Sequence, residues 1–363
     1  MNLEEYLQIP TYELNREEKN EFLLEELNYL TKKHSLNCTA YHDVLKAHNL
    51  LDSSVKELSD FLPLPVRLFK NYELKSCKDE EVIKTLTSSG TTSQLVSKIF
   101  LDKETSTLQT KALVKIMQNF LGKARLPMLI IDTKSILKNR KMFSARGAGI
   151  LGLSNFGRKH TYALDDDMQI DFEIIESFLE EHKGKKIFIF GFTFMIWKYF
   201  YEQLKIKNRN LDLSNAILIH SGGWKKLIDQ AVDNDTFKAR LKEQIGINEI
   251  HDFYGMVEQV GSIFVECEEG HLHTPIFADI IVRDPMTMKI NEFGKEGIIE
   301  VLSILPRSYP GHVLLTEDLG TILGEDDCAC GKKGKYFRVK GRLPKAEIRG
   351  CSDTHAFDNK GKK

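Results

Sequence analysis

Thr87-Ser88-Ser89-Gly90-Thr91-Thr92-Ser93-Gln94, with Lys98 just beyond it, is the stretch of this chain best suited to hold an anion. Gly90 leaves backbone N–H groups accessible, Ser88, Ser89, Thr91 and Thr92 add hydroxyl donors, and the Lys98 ammonium offsets charge. Polyphosphate is the anion that such a loop suits best. No Gly-x-x-x-x-Gly-Lys-Ser/Thr string occurs in the chain, so this is not a Walker loop. Taken alone, the stretch fits a polar surface turn equally well.

Chemistry of a second kind is offered by Asp252-Phe253-Tyr254-Gly255-Met256-Val257-Glu258. The Tyr254 face can stack on a base, the Glu258 carboxylate can hold Mg²⁺, and Gly255 between them lets the backbone come close to a ligand. Ser221-Gly222-Gly223 precedes this stretch by about one helix, and Thr316-Glu317-Asp318-Leu319-Gly320 and Gly341-Arg342 follow it. Each piece by itself is an ordinary turn, but four in this order are much harder to obtain by chance.

The thiols form two further groups. Cys328-Ala329-Cys330-Gly331 is a tight chelating turn, and Cys267 with His273 could complete a sulfur and nitrogen set that suits a closed, structural Zn²⁺, His273 being preferred to His271. Free buried cysteines beside surface histidines fit the same spacing. Cys351 follows Arg342, Lys345 and Arg349 and precedes His355, so nearby positive charge could favour its thiolate and an imidazole could assist its deprotonation. A surface thiol near a frayed terminus is the plainer account of Cys351.

These residues need a frame. Asn15 is a candidate N-cap for a helix with Phe22, Leu23, Leu27 and Leu30 at helical spacing, and Phe61-Leu62-Pro63-Leu64-Pro65 reads as a rigid extended connector. Short apolar runs at 127–131, 186–190, 216–220 and 250–254 alternate with helical periods, which predicts a mostly parallel sheet covered on both faces. Ligands then sit beyond the carboxyl ends of the strands, at turns such as Gly191, Gly222-Gly223 and Gly255. After Gly261, strand-like pieces at 277–282, 297–304 and 313–316 indicate a smaller β-rich lobe. The expected division is a helical region over 1–70, an α/β core over 71–260, the β-rich lobe over 261–340 and a tail over 341–363. The buried run at 187–197 is the candidate pocket for an apolar substrate, although plain core fits it as well, and Asp165-Asp166-Asp167 reads as a solvated turn. Ser144-Ala145-Arg146-Gly147-Ala148-Gly149 reads as a flexible basic turn without an assigned role.

Bulk composition narrows the function classes. With 363 residues, 42% hydrophobic and 28% charged, the chain can bury a sizeable core. Its 51 Lys and Arg against 52 Asp and Glu give no basic field that would recruit nucleic acid. The longest apolar run is too short to span a bilayer and the first residues do not read as a signal peptide, so the expectation is a cytoplasmic protein without a membrane span. Six cysteines in a chain of this size fit reduced thiols.

The Ser/Thr loop, Ser-Gly-Gly, Tyr-Gly-x-x-Glu, Thr-x-Asp and Gly-Arg, in this order, resemble the adenylate-forming superfamily of acyl-CoA synthetases, adenylation domains and luciferases. Thr87 to Thr91, Ser221-Gly222-Gly223-Trp224-Lys225, Ser308-Tyr309-Pro310 and Arg349-Gly350-Cys351-Ser352 are more similar to one branch. That branch is the acyl-protein synthetase, or long-chain-fatty-acid protein ligase, of the bacterial luminescence fatty-acid reductase system, and the similarity covers roughly residues 60 to 357. The resemblance implies a large α/β domain of mostly parallel sheets flanked by helices, a smaller β-rich lobe, and a mobile C-terminal domain truncated to a short tail.

It further implies that ATP and Mg²⁺ activate a fatty or similar carboxylic acid to an acyl-adenylate, which is captured as a thioester on a cysteine and passed to an acyl reductase partner. By motif match, Ser88 to Thr92 would hold the β- and γ-phosphates, Gly222 and Gly223 would lie along the adenine, and Tyr254 would stack on it. Glu258 would bind Mg²⁺, Asp318 and Arg342 would meet the ribose hydroxyls, and Cys351 would be acylated. Larger superfamily members supply a lysine for adenylation from their C-terminal domain, a role that here falls to Lys98, Lys345 or the tail. Val257 stands where a hydroxyl residue is common, which removes one contact to the α-phosphate. A coenzyme A ligase resembling the phenylacetate branch and a catalytically silent nucleotide-binding scaffold fit the same residues.

Overall fold

Asn15 begins the helix Arg16–Asn37 with a capping box: its side chain accepts from the Glu18 amide at 3.1 Å, and the Glu18 carboxylate accepts from the Asn15 amide at 3.3 Å. The helix buries Phe22, Leu23, Leu27 and Leu30, the apolar face expected from their spacing, together with Lys19 and His34. Each such apolar side chain contributes roughly 1.5–3 kcal/mol when fully buried. The computed structural model describes residues 2–343 apart from 52, 89–95, 138–144 and 225–228. These residues divide into two compact units; the second is the continuous stretch 117–253, and the first collects the described residues before and after it.

Walking along the first unit, β1 (Leu64–Pro65) is followed by the antiparallel hairpin of β2 (Lys84–Thr87) and β3 (Lys98–Leu101), with Thr87 opposite Lys98. Helix Lys103–Leu121 carries the chain onward. The second unit contains β4 (Leu126–Thr133), β5 (Gly157–Leu164), β6 (Ile187–Phe192), β7 (Ala216–Ser221) and β8 (Glu249–Tyr254). These strands run parallel in the order β5-β4-β6-β7-β8. All six residues of β6 are buried, as a near-continuous apolar run must be when helices cover both faces of its sheet.

Returning to the first unit, the chain forms β9 (Phe264–Val265), β10 (Leu272–His273), β11 (Ala278–Arg283), β12 (Gly297–Ser303), β13 (Val313–Glu325) and β14 (Lys335–Arg342). Here the sheet is antiparallel in the order β10-β14-β13-β12-β11, and β1 adds to β13 in parallel. The extended connector at 61–65 is thus partly a sheet edge, where Pro65 needs no partner for the donor it lacks.

Contacts tie the N-terminal region to the β-rich lobe. Residues 1–70 do not stand apart from the β-rich lobe: both belong to the first unit. Lys19, 2% exposed, donates to Thr274 at 2.8 Å and pairs with Asp279 at 3.3 Å, while Lys335 reaches the other Asp279 oxygen at 2.7 Å. Arg307 meets Glu26 at 2.7 Å, and His34 contacts the Pro306 carbonyl at 3.0 Å. Burial works to raise the Asp279 carboxyl, yet the two ammonium groups and their hydrogen bonds hold it below the ordinary aspartate range. In the second unit, Arg146 belongs to the helix Ala145–Ser154 rather than to a flexible turn, and its guanidinium sits 2.8 Å from the buried Asp132. Among the described residues no helix is long and apolar enough to cross a membrane.

Asp279→Ala strands two ammonium groups in the core. It is expected to destabilise the first unit by about 3–5 kcal/mol, the scale of a broken buried ion pair. Urea unfolding followed by tryptophan-independent far-UV signal checks this, and an unchanged midpoint contradicts it.

Candidate functional site

Asp318 on β13 and Arg342 on β14 are cross-strand partners, which places their side chains together with a closest ion-pair distance of 3.6 Å. The Tyr254 hydroxyl donates to Asp318 Oδ2 at 2.8 Å. Thr316 turns the chain for them: its hydroxyl donates to the Ile299 carbonyl at 2.6 Å and accepts from the Asp318 amide at 3.1 Å. Burial raises the Asp318 carboxyl, and the Tyr254 hydroxyl and Arg342 act against it. The Tyr254 phenol is pushed well above its usual value, by burial first and then by Asp318. Tyr254 also stacks on Phe264 with ring centroids 6.1 Å apart.

Glu258 lies in the short turn Val257–Gln259 that follows Tyr254. Gln259 fastens the turn by donating to the carbonyls of Val301 at 3.2 Å and Gly311 at 2.8 Å. A Cβ at Gly311 would sit 2.8 Å from the Glu258 carbonyl and 2.3 Å from the Tyr309 ring, so only glycine lets these segments meet. At Gly255 the added carbon would lie 2.9 Å from Ile263, a packing reason for that glycine. Glu258 is 9% exposed. Burial raises its carboxyl and Asp318 adds to the shift, whereas the Ser97 hydroxyl and Arg342 oppose it.

The Ser/Thr stretch lies in sequence between the paired strands β2 and β3. Its two feet are tied, Ser88 donating through its amide to the Ser97 carbonyl at 3.1 Å and Ser97 through its amide to the Ser88 hydroxyl at 2.9 Å. Ser308 donates to the Phe100 carbonyl at 2.8 Å, and the Tyr309 hydroxyl accepts from Gln109 at 3.3 Å. The Ser308-Tyr309-Pro310-Gly311 stretch therefore supports both the hairpin and the Glu258 turn. Ser97 escaped attention in the sequence because its signal is only its place as the far foot of the loop. Lys98 is exposed on β3. Ser89, Gly90, Thr91 and Thr92 lie outside the described residues, as do Lys225, Lys345, Cys351 and His355.

Gly222 and Gly223 stand in the second unit, directly after β7. Gly222 has φ +89° and a Cβ there would approach Phe192 at 3.1 Å, while Gly223 faces open space. The Ser221 hydroxyl donates to the Phe253 carbonyl at 2.8 Å, joining the carboxyl ends of β7 and β8. The buried run at 187–197 is mostly sheet core, and it continues into a π-helical turn, Ile196–Tyr201, that sequence periodicity did not reveal. Trp197 there meets Trp224 edge-on at 5.5 Å. Asp165 of the acidic run accepts from the amides of Asp167 and Gln169, an exposed turn as expected.

Tyr254, Glu258, Asp318, Arg342 and the foot of the loop at Ser88 and Ser97 thus gather in one unit. One buried carboxylate beside hydroxyl donors is a donor set that Mg²⁺ accepts when substrate phosphates supply further oxygens.

Known proteins share the fold. The open conformation of 2-hydroxyisobutyryl-CoA ligase, in complex with 2-HIB-AMP and CoA, superposes with a TM-score of 0.70 at 16% identity, covering 92% of this chain and 77% of that one. The postadenylation state of the same ligase gives 0.69, covering 92% and 69%. The fold is that of adenylate-forming ligases. In sequence, the long-chain-fatty-acid–luciferin-component ligase of Vibrio harveyi is 25% identical over 309 residues, 82% of this chain and 78% of that protein. The protein of the same name from Aliivibrio fischeri is 26% identical over 172 residues, 44% of this chain and 43% of its own. With residues 7–358 matched by the family described as acyl-protein synthetase, LuxE, the chain belongs to that family and is an acid–thiol ligase.

Proposed function

We propose that the protein activates a fatty or similar carboxylic acid with ATP and Mg²⁺, captures the acyl group as a thioester on Cys351, and delivers it to an acyl reductase in the cytoplasm. The observation that carries this is the gathering of Tyr254, Glu258, Asp318 and Arg342 beside the foot of the hydroxyl-rich loop. Family membership and the printed names of the Vibrio harveyi and Aliivibrio fischeri relatives support the choice of a long-chain acid.

In the first step a carboxylate oxygen of the acid attacks the α-phosphorus of ATP and pyrophosphate leaves, giving acyl-adenylate. In the second the Cys351 thiolate attacks the acyl carbonyl and AMP leaves. Such displacements need positioning and charge neutralisation more than covalent help. Mg²⁺, when bound, neutralises phosphate charge. The loop from Ser88 to Thr92 would hold the β- and γ-phosphates, Glu258 would hold the metal, Tyr254 would stack on the adenine, and Asp318 with Arg342 would fix the ribose. The Tyr254–Asp318 hydrogen bond keeps the phenol ring oriented before substrate arrives. Lys98, exposed at the base of the loop, is our choice for the cation at the phosphates, and His355 for assisting the Cys351 thiol.

Carboxylate-dependent exchange of labelled pyrophosphate into ATP is expected with long-chain acids; a panel of acids none of which supports exchange sinks the proposal. Cys351→Ser should retain exchange and lose stable acyl labelling of the protein. If the wild type is never labelled and Cys351→Ser still releases acyl-coenzyme A, the enzyme is a coenzyme A ligase instead.

Glu258→Gln removes the metal-binding charge and should lower exchange by roughly 10²-fold, the scale of one lost transition-state contact. Burial raises the Glu258 carboxyl, so it loses its charge at a higher pH than the ordinary value of about 4.3. Exchange kcat/KM of the wild type should therefore fall as pH drops, beginning above that ordinary value, and this acid limb should be absent from Glu258→Gln.

A further inference from the structure

Cys267, His273, Cys328 and Cys330 take no part in the proposed reaction, yet the fold of the first unit brings them together. One ligand atom from each lies within 4.8 Å of every other, and three of the four residues are buried. Tetrahedral zinc, with Zn–S near 2.3 Å and Zn–N near 2.0–2.1 Å, asks for ligand separations of about 3.5–3.8 Å. Small side-chain movements suffice to close that gap. All three cysteines are free thiols.

The two cysteine turns are built alike. The Gly270 amide donates to the Cys267 carbonyl at 3.1 Å and the Gly331 amide to the Cys328 carbonyl at 3.0 Å, and these glycines take φ +75° and +78°. Each left-handed glycine, three residues after its cysteine, reverses the chain around the sulfur. Backbone amides of Glu269 and His271 face the Cys267 sulfur, the Cys330 amide the Cys328 sulfur and the Lys332 amide the Cys330 sulfur, each acting against the burial that raises these thiols.

The surroundings point the same way. His273 Nε2 is 3.3 Å from Cys330 Sγ, and His271 Nδ1 is 3.4 Å from Cys328 Sγ, the geometry of a ligand and of an outer donor respectively. Tyr12 is 6% exposed, its ring meets His273 edge-on at 6.2 Å, and its hydroxyl has no hydrogen-bond partner. A buried hydroxyl beside Cys267 and Cys330 that has no acceptor is explained if a metal-bound thiolate takes its proton as a hydrogen bond.

We infer that Cys267, His273, Cys328 and Cys330 bind one Zn²⁺ in a closed structural site that fastens the β13–β14 turn to the connection leading into β10 and to the N-terminal segment around Tyr12. Sulfur-rich tetrahedral donors select zinc among the common divalent ions. The need is local: β10 offers only Leu272 and His273 for pairing with β14. The same turn also receives the N-terminal segment, through the Lys333 amide on the Tyr12 carbonyl at 2.9 Å, and the Ile276 amide meets the Thr11 carbonyl at 3.0 Å. Neither ATP nor the acid enters this proposal, so it stands or falls separately from the ligase activity.

Full-length protein purified without chelators should contain about one zinc per chain by elemental analysis, and Cys328→Ser/Cys330→Ser should contain less than a tenth of that. If the double variant does not fold, Co²⁺ replacement in the wild type decides: tetrahedral cobalt bands with a thiolate-to-metal charge-transfer band support the site. Stripping zinc from the wild type with a strong chelator should lower Tm and speed proteolysis between Cys267 and Cys330. Metal-free protein with three freely reactive thiols, stoichiometric iron in place of zinc, an octahedral cobalt spectrum, or zinc content unchanged in a folded double variant would each overturn the assignment.

Discussion

Strand β13 has hydrogen-bonded neighbours on both sides, and that backbone ladder fixes the address of Asp318 before any ligand is involved. The register against β14 slips between Leu319 and Gly320, directly after Asp318, a bulge of the kind that re-aims a neighbouring side chain. Gly320 is required there: a Cβ would lie 2.6 Å from Ile299 and 2.7 Å from the Arg338 carbonyl. The Thr316-to-Gly320 stretch is therefore a single device. Its threonine ties the turn, its aspartate points out, and its glycine admits the bulge.

Around that ladder the first unit buries several charges, and it treats them differently. Asp279 is held ionised by two lysines, whereas burial raises the Glu300 carboxyl to about 7 despite its pairing with Arg283. Glu258 has weaker company, a serine hydroxyl and the field of Arg342, and its carboxyl is raised accordingly. A carboxylate left short of positive charge in a dry setting stores a preference for a cation. Glu258 and Glu300 are thus raised alike by burial and differ in company: Glu300 has a guanidinium paired with it, and Glu258 has a hydroxyl and a more distant cation.

Much of the frame was legible because its signals are local. The four apolar runs became β4, β6, β7 and β8, and Asn15 capped its helix, because alternation and capping act within a few residues. His273, not His271, lies among the three sulfurs, although both rings sit against Tyr336, so strand alternation does not separate the two histidines. Strand β5 was missed: Arg158, Lys159 and His160 are exposed, so it carries no apolar run. Strand β14 was missed for the same reason, being rich in Lys and Arg and recognisable only through its pairing with β13. The tie between residues 1–70 and the β-rich lobe was not legible, because the partner of Lys19 is Asp279 and nothing near position 19 announces a carboxylate at 279.

Among the described residues the second unit is an uninterrupted stretch, while the first is assembled from chain on both sides of it. During synthesis the inserted stretch emerges whole and can form its parallel sheet while the remainder is still being made. The helix Arg16–Asn37 is placed differently. Phe22 is covered early, by the ring of Tyr6, but Lys19 waits for Asp279, more than two hundred residues later in the sequence. Nascent chains halted between the two stages would carry an ammonium whose counter-charge has not yet been made.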